Sequence, residues 1–134
     1  SFPGGKRVDA QLGAFTIRTD QPVDGGGDGS APAPYDLFLA SLATCAGIYV
    51  LGFCQARGLP TDGLSLTQRH EIDPDSHLPV RITLELRLPD GFPEKYRTAI
   101  VRAAEGCKVK KTIAAAPSVS VRVVDASASL AATM

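Results

Sequence analysis

The chain has 134 residues, with 14 basic and 14 acidic side chains and a formal net charge of zero. That length suits one domain over residues 1–134, burying roughly 68% of its unfolded surface and holding a core without a staple. The charge balance and the lack of a basic run exclude a nucleic-acid footprint. Three cysteines (Cys45, Cys54, Cys107) are too few, and odd in number, for a disulfide framework. No secretory signal precedes the first strand, so reduced thiols and a cytoplasmic location are the expectation.

In chain order, residues 7–12 and 14–19 read as two short strands about Gly13, with Phe15 and Ile17 alternating against Thr16 and Arg18. Residues 21–34 are rich in Gly, Pro and Asp and form a loop. No Lys-Ser/Thr follows the glycines, so the loop is not a phosphate cradle. A helix starts near Pro34, with Asp36 in its first turn, and stops near Arg57, before Gly58 and Pro60. It is roughly 33 Å long. Alternation predicts strands over 64–72 and 80–88. Helical spacing of Tyr96, Ile100, Val101 and Ala104 predicts a helix over 93–105. Gly106 breaks it, a short helix begins at Cys107, and after Pro117 a last strand carries Val119, Val121 and Val123 on one face. The order β-β-α-β-β-α-α-β is α+β.

The uncharged stretch Leu37 to Cys54 reaches the length of a membrane span. Its Ala, Ser, Thr and Gly content is only mildly hydrophobic. The expectation is a helix buried all round inside a protein, not a membrane segment. One small sheet covers one side of such a helix, so a second layer or a partner subunit is implied.

Two cysteines have chemical potential. Cys45 lies mid-helix among Ala43, Thr44, Ala46 and Gly47, which leave room at the sulfur. Cys107 sits at a helix start followed by Lys108, Lys110 and Lys111. A helix N-terminus and ammonium groups both favour a thiolate, so Cys107 is expected to be partly ionised. The alternative for both is inert core packing. Cys54, nine residues after Cys45, falls on the other face about 13.5 Å along the helix and reads as core filler. His70 and His77 have no ligand spacing, so zinc is not expected; His70 reads as a solvated strand residue. No Gly-x-Ser-x-Gly elbow marks a hydrolase.

Two stretches resemble a known family: PYDLFLASLATCAG, from Pro34 to Gly47, and AAEGCKVKKTI, from Ala103 to Ile113. Together they are similar to the two cysteine motifs of the OsmC/Ohr family, the osmotically inducible and organic hydroperoxide resistance proteins. The resemblance extends over nearly the whole chain. It implies an OsmC-like fold: an intertwined homodimer, its long buried central helix wrapped by antiparallel sheets. It implies that Cys45 is peroxidatic, that Cys107 resolves it through a Cys45–Cys107 disulfide, and that a hairpin arginine holds the thiolate. Arg7 is the choice for that arginine, with Lys6 next and Arg18 weaker.

The implied activity is a thiol peroxidase acting on organic hydroperoxides, with a dithiol, usually a lipoyl group, as reductant. No metal, haem or flavin is implied. Tyr35, Phe38, Leu42 and Tyr49 are the expected substrate-binding residues. One departure stands out: the glutamate that pairs with the arginine in the hydroperoxide reductases is replaced by Tyr35, with Asp36 one residue later, about 100° round the helix. A divergent branch follows, for which a non-catalytic dimer binding an apolar ligand, or a redox sensor, is the alternative.

Overall fold

The alternating residues near the N-terminus pair as a hairpin. In the computed structural model, which describes residues 1–125, β1 (Val8–Leu12) runs antiparallel to β2 (Phe15–Thr19), with Ala10 opposite Ile17. Both strands are short and largely exposed.

The glycine-rich loop that follows is tied down by one carboxylate. Asp20 is buried and accepts hydrogen bonds from the main-chain N–H groups of Gln21 (2.8 Å), Asp28 (3.2 Å) and Ser30 (3.0 Å) and from the Ser30 hydroxyl (2.7 Å). The loop closes on itself so tightly that a Cβ at Gly27 would lie 2.1 Å from the Gln21 carbonyl oxygen. The Ser30 hydroxyl, followed by its N–H and those of Gln21 and Asp28, holds the Asp20 carboxyl down at about 2. A carboxyl with a depressed folded pKa stabilises the fold above its unfolded value of 3.8 and loses that contribution as pH falls toward 2. Thermal melts between pH 5 and pH 2 are therefore expected to drop in wild type, and Asp20→Asn should start lower and drop less. Equal slopes for the two proteins would contradict this role.

The long helix α1 (Pro34–Gln55) forms as its capping residues indicate. Pro34 occupies the first turn, and the Asp36 carboxylate accepts from the Ala33 N–H at 3.2 Å. It buries one stripe, Leu42, Ala46, Val50, Phe53 and Cys54, at three- and four-residue spacing. It is not wrapped all round within the chain: Tyr35, Phe38, Ile48, Tyr49 and Leu51 stay exposed. By length and composition, with a mean hydropathy of 2.0, α1 could cross a membrane. Here it packs on two helices and a strand.

Those elements follow in sequence. β3 (Ser65–Ile72) pairs antiparallel with β4 (Pro79–Arg87), Leu66 facing Leu86 and His70 facing Ile82, with an irregularity at Glu71 and Ile72. Helix α2 (Arg97–Glu105) begins after a single 3-10 turn at Glu94–Tyr96, which takes up the first residues of the expected helix. Helix α3 (Lys108–Ala115) follows at once. Phe92, Ile100, Val50, Phe53 and Cys54 make one core cluster; Leu42, Ala46 and Cys107 make the other.

The expected last strand is not formed. After α3 the chain pairs with no strand through residue 125, and Val119, Val121 and Val123 are 89%, 96% and 97% exposed. An alternating strand needs a free sheet edge, and neither two-stranded sheet takes this segment as a third strand.

Candidate active site

Cys45 lies at the middle of α1, partly exposed, on a stripe with Tyr35, Phe38, Leu42 and Tyr49 at three- and four-residue spacing. The Tyr35 and Phe38 rings stack at 5.8 Å between centroids and are half exposed. Leu42 is buried beside Cys107. Tyr49 lies against the α2–α3 junction: a Cβ at Gly106 would come within 3.3 Å of its ring and 3.0 Å of the Ala103 carbonyl oxygen. Gly106 therefore does more than break a helix. The missing Cβ lets the junction that carries Cys107 close onto α1, and this tight approach left no signal in the sequence beyond the glycine itself.

That approach brings the two sulfurs together. Cys107 is fully buried, packs with Cys45, Leu42 and Ala46, and caps α3: the Lys110 N–H donates to its sulfur at 3.4 Å. Its thiol donates to the Leu42 carbonyl oxygen at 3.9 Å, and Cys45 packs beside the cluster it belongs to.

The electrostatics reverse the sequence expectation for Cys107. Burial pushes the Cys107 thiol up, and the Lys110 N–H only partly offsets it. The start of α3 serves Cys45 instead. The Val109 N–H first, then the Cys107 thiol, the Lys108 N–H and the Lys108 charge favour the ionised form of Cys45, and its thiol is pulled down despite some burial. Cys45 is thus the favoured thiolate and Cys107 the favoured thiol. A run of lysines is visible in sequence; the sulfur that their helix faces, and the depth of the other, are not.

Arg7 is not brought to this pair within the chain. Its guanidinium donates to the Gly4 carbonyl oxygen at 3.3 Å, and it lines a separate cleft with Arg18, Asp9, Thr19 and Ser30. Cys54 lies in the other core cluster, its thiol pushed up by burial against the opposing effect of Arg57. Gln68, polar but on the strand face turned to α1, donates to the Leu39 carbonyl oxygen at 3.1 Å and ties β3 to the helix. A cavity of about 580 Å³ opens between this sheet and the α2–α3 pair. Leu42, Leu66, Ile82, Leu84 and Ile113 line it, with Cys107 in its wall.

The family model for OsmC-like protein matches residues 27–122, a span that holds both cysteines. The chain belongs to the OsmC-like family. The hairpin with Arg7 lies outside the matched span. Among solved structures, this OsmC-like chain is similar to one from Psychrobacter arcticus, described as an osmotic stress induced and detoxification response protein. The two are 23% identical with a TM-score of 0.70, over 84% of this chain and 83% of that one, which shows a shared fold. It is also similar, at 19% identity and a TM-score of 0.48, to an organic hydroperoxide resistance protein OsmC from Legionella pneumophila, over 84% of this chain and 90% of that one. No curated protein sequence matches it. The mixed fold, with one long helix and two small antiparallel sheets, is that of the family.

Proposed function

We propose that this OsmC-like protein is a thiol peroxidase that reduces organic hydroperoxides. The observation that carries the reading is the pair of adjacent sulfurs in unequal surroundings. Cys45 is reachable and favoured as thiolate; Cys107 is buried, protonated and in contact with it. The Cys45 thiolate attacks the distal oxygen of the hydroperoxide, the O–O bond breaks, and the alkoxide leaves as the alcohol after taking a proton. Cys45 becomes a sulfenic acid. The Cys107 sulfur then attacks the Cys45 sulfur; the sulfenic hydroxyl leaves with the Cys107 proton as water, and a disulfide remains. A dithiol of the lipoyl type reduces it in two exchanges, forming its own disulfide. Tyr35, Phe38, Leu42 and Tyr49, on the Cys45 stripe, favour an organic substrate over hydrogen peroxide.

The reading includes a homodimer. The exposed apolar residues of α1 and the unpaired valines after α3 are surfaces that a second copy would cover. Arg7 does not reach Cys45 within the chain, so a role for it in holding the thiolate depends on that assembly. The apolar cavity beside Cys107 favours one other reading, a dimer that binds an apolar ligand without turnover.

Turnover separates the two. Cumene hydroperoxide should be consumed catalytically with reduced lipoamide, and faster than hydrogen peroxide. Thiols left unreacted by cumene hydroperoxide over minutes would overturn the peroxidase and favour the binding dimer.

A further inference from the structure

The backbone at Gly106 does not call for glycine. Its φ of −65° and ψ of −8° are right-handed helical values open to any residue. What calls for glycine is space. A Cβ there would lie 3.3 Å from both the Cδ1 and Cε1 carbons of Tyr49 and 3.0 Å from the Ala103 carbonyl oxygen. Carbon atoms pack best at about 3.5–4.0 Å, so the ring or the junction would have to give way.

Each residue of this contact is next to a sulfur. Tyr49 follows Cys45 by one turn of α1, on the same face. Gly106 directly precedes Cys107. The junction itself is held at both ends. The Gly106 N–H donates to the Ala103 carbonyl oxygen at 3.0 Å, and the Cys107 N–H to the Ala104 carbonyl oxygen at 3.2 Å. On the other side the Lys111 N–H donates to the Cys107 carbonyl oxygen at 3.1 Å. A displacement at Gly106 is therefore carried into Cys107. Disulfide formation tolerates little of it, because the two Cβ atoms must come within about 3.5–4.5 Å.

We propose that the Tyr49–Gly106 contact is the spacer that sets how fast Cys107 captures an oxidised Cys45. The inference rests on the reading of the two cysteines as one redox pair. The Tyr49 ring is the stop against which the junction closes, and the missing Cβ at Gly106 lets it close far enough. Both are positioning residues for the second chemical step. The lifetime of the Cys45 sulfenic acid is then set by the packing of a ring on a glycine.

The test needs no hydroperoxide. Reduced protein is mixed with the aromatic disulfide dithiobis(nitrobenzoate). The Cys45 thiolate attacks one of its sulfurs, the S–S bond breaks, one thionitrobenzoate leaves, and the other half stays on Cys45 as a mixed disulfide. Cys107 then gives its proton to solvent, its sulfur bonds to the Cys45 sulfur, and the second thionitrobenzoate leaves. The first release is bimolecular and the second intramolecular, so stopped-flow absorbance separates them. Peptide mapping checks that the bridge joins Cys45 to Cys107.

Gly106→Ala should slow the second release roughly three- to tenfold. Tyr49→Ala, which removes the stop and keeps the glycine, should slow it too. Tyr49→Phe, which puts the ring back, should recover most of that loss. Because both sites report one contact, the double variant of Gly106→Ala and Tyr49→Ala should lose no more than the worse single variant. A second release in Gly106→Ala as fast as in wild type overturns the proposal, and so do losses that multiply in the double variant. Should Gly106→Ala not fold, Tyr49→Ala against Tyr49→Phe carries the test, and equal rates overturn it. No second release in wild type sinks the redox pair and the spacer with it. A failed hydroperoxide assay with this pattern intact sinks the peroxidase reading alone, and a working assay with the second release unmoved sinks only the spacer.

Discussion

Cys45→Ser should abolish hydroperoxide consumption, while Cys107→Ser should still consume one equivalent and leave a sulfenic acid on Cys45 that dimedone traps. The unequal surroundings dictate this. Only Cys45 is both partly exposed and drawn toward the thiolate, by the Val109 and Lys108 N–H groups and the Cys107 thiol. Cys107 has no exposed surface, and its burial favours the neutral thiol, a poor nucleophile toward peroxide. Loss of a catalytic nucleophile costs on the order of 10⁴- to 10⁶-fold, so Cys45→Ser should react at the solution background. In wild type, Cys107 should intercept the sulfenic acid before dimedone does. Because the folded Cys45 pKa is lowered, the rate should fall less as pH drops from 9 toward neutral than that of an unassisted thiol. A trapped adduct on Cys107, with Cys45 unmodified, would reverse the roles.

Wild type should sediment at micromolar concentration with no folded monomer, and Ile48→Asp should break that assembly. Ile48 is 60% exposed on α1, beside Tyr49 and Leu51, which are also exposed. A soluble chain that leaves such a helix uncovered exposes a continuous apolar face. In a two-fold interface the substitution counts twice. The lost burial alone is about 3–6 kcal/mol for the two copies, a weakening of roughly 10²- to 10⁴-fold in Kd, before the cost of enclosing two carboxylates. A wild-type monomer with a cooperative melt would contradict the proposed assembly.

Most elements were legible because their signals are local. Alternation gave both hairpins to within a residue, and Pro34, Asp36 and Gly58 bracketed α1 to within two. The apolar run of α1 was legible too, but not which stripe the chain itself would cover. The valines at 119, 121 and 123 alternate as a strand does, yet pairing depends on a sheet edge, and alternation carries no information about one. The two sulfurs stood out by residue type and by resemblance. Their ionisation did not, because it depends on depth and on which amides of α3 point where. The lysines after Cys107 suggested that Cys107 would carry the charge; in the fold its burial outweighs them. Gln68 was missed for a related reason, its partner lying in another segment of the fold; Asp20 was missed because its partners are main-chain N–H groups and one hydroxyl of the loop that follows it, which residue type does not mark.

The central claim is that Cys45 and Cys107 form one redox pair. Reduced protein treated with one equivalent of cumene hydroperoxide and digested without reductant should yield a single cross-linked peptide joining Cys45 to Cys107. One mole of cumyl alcohol should be released per mole of chain, with Cys54 still free. Recovery of all three cysteines as thiols, or a disulfide that includes Cys54, would contradict the account.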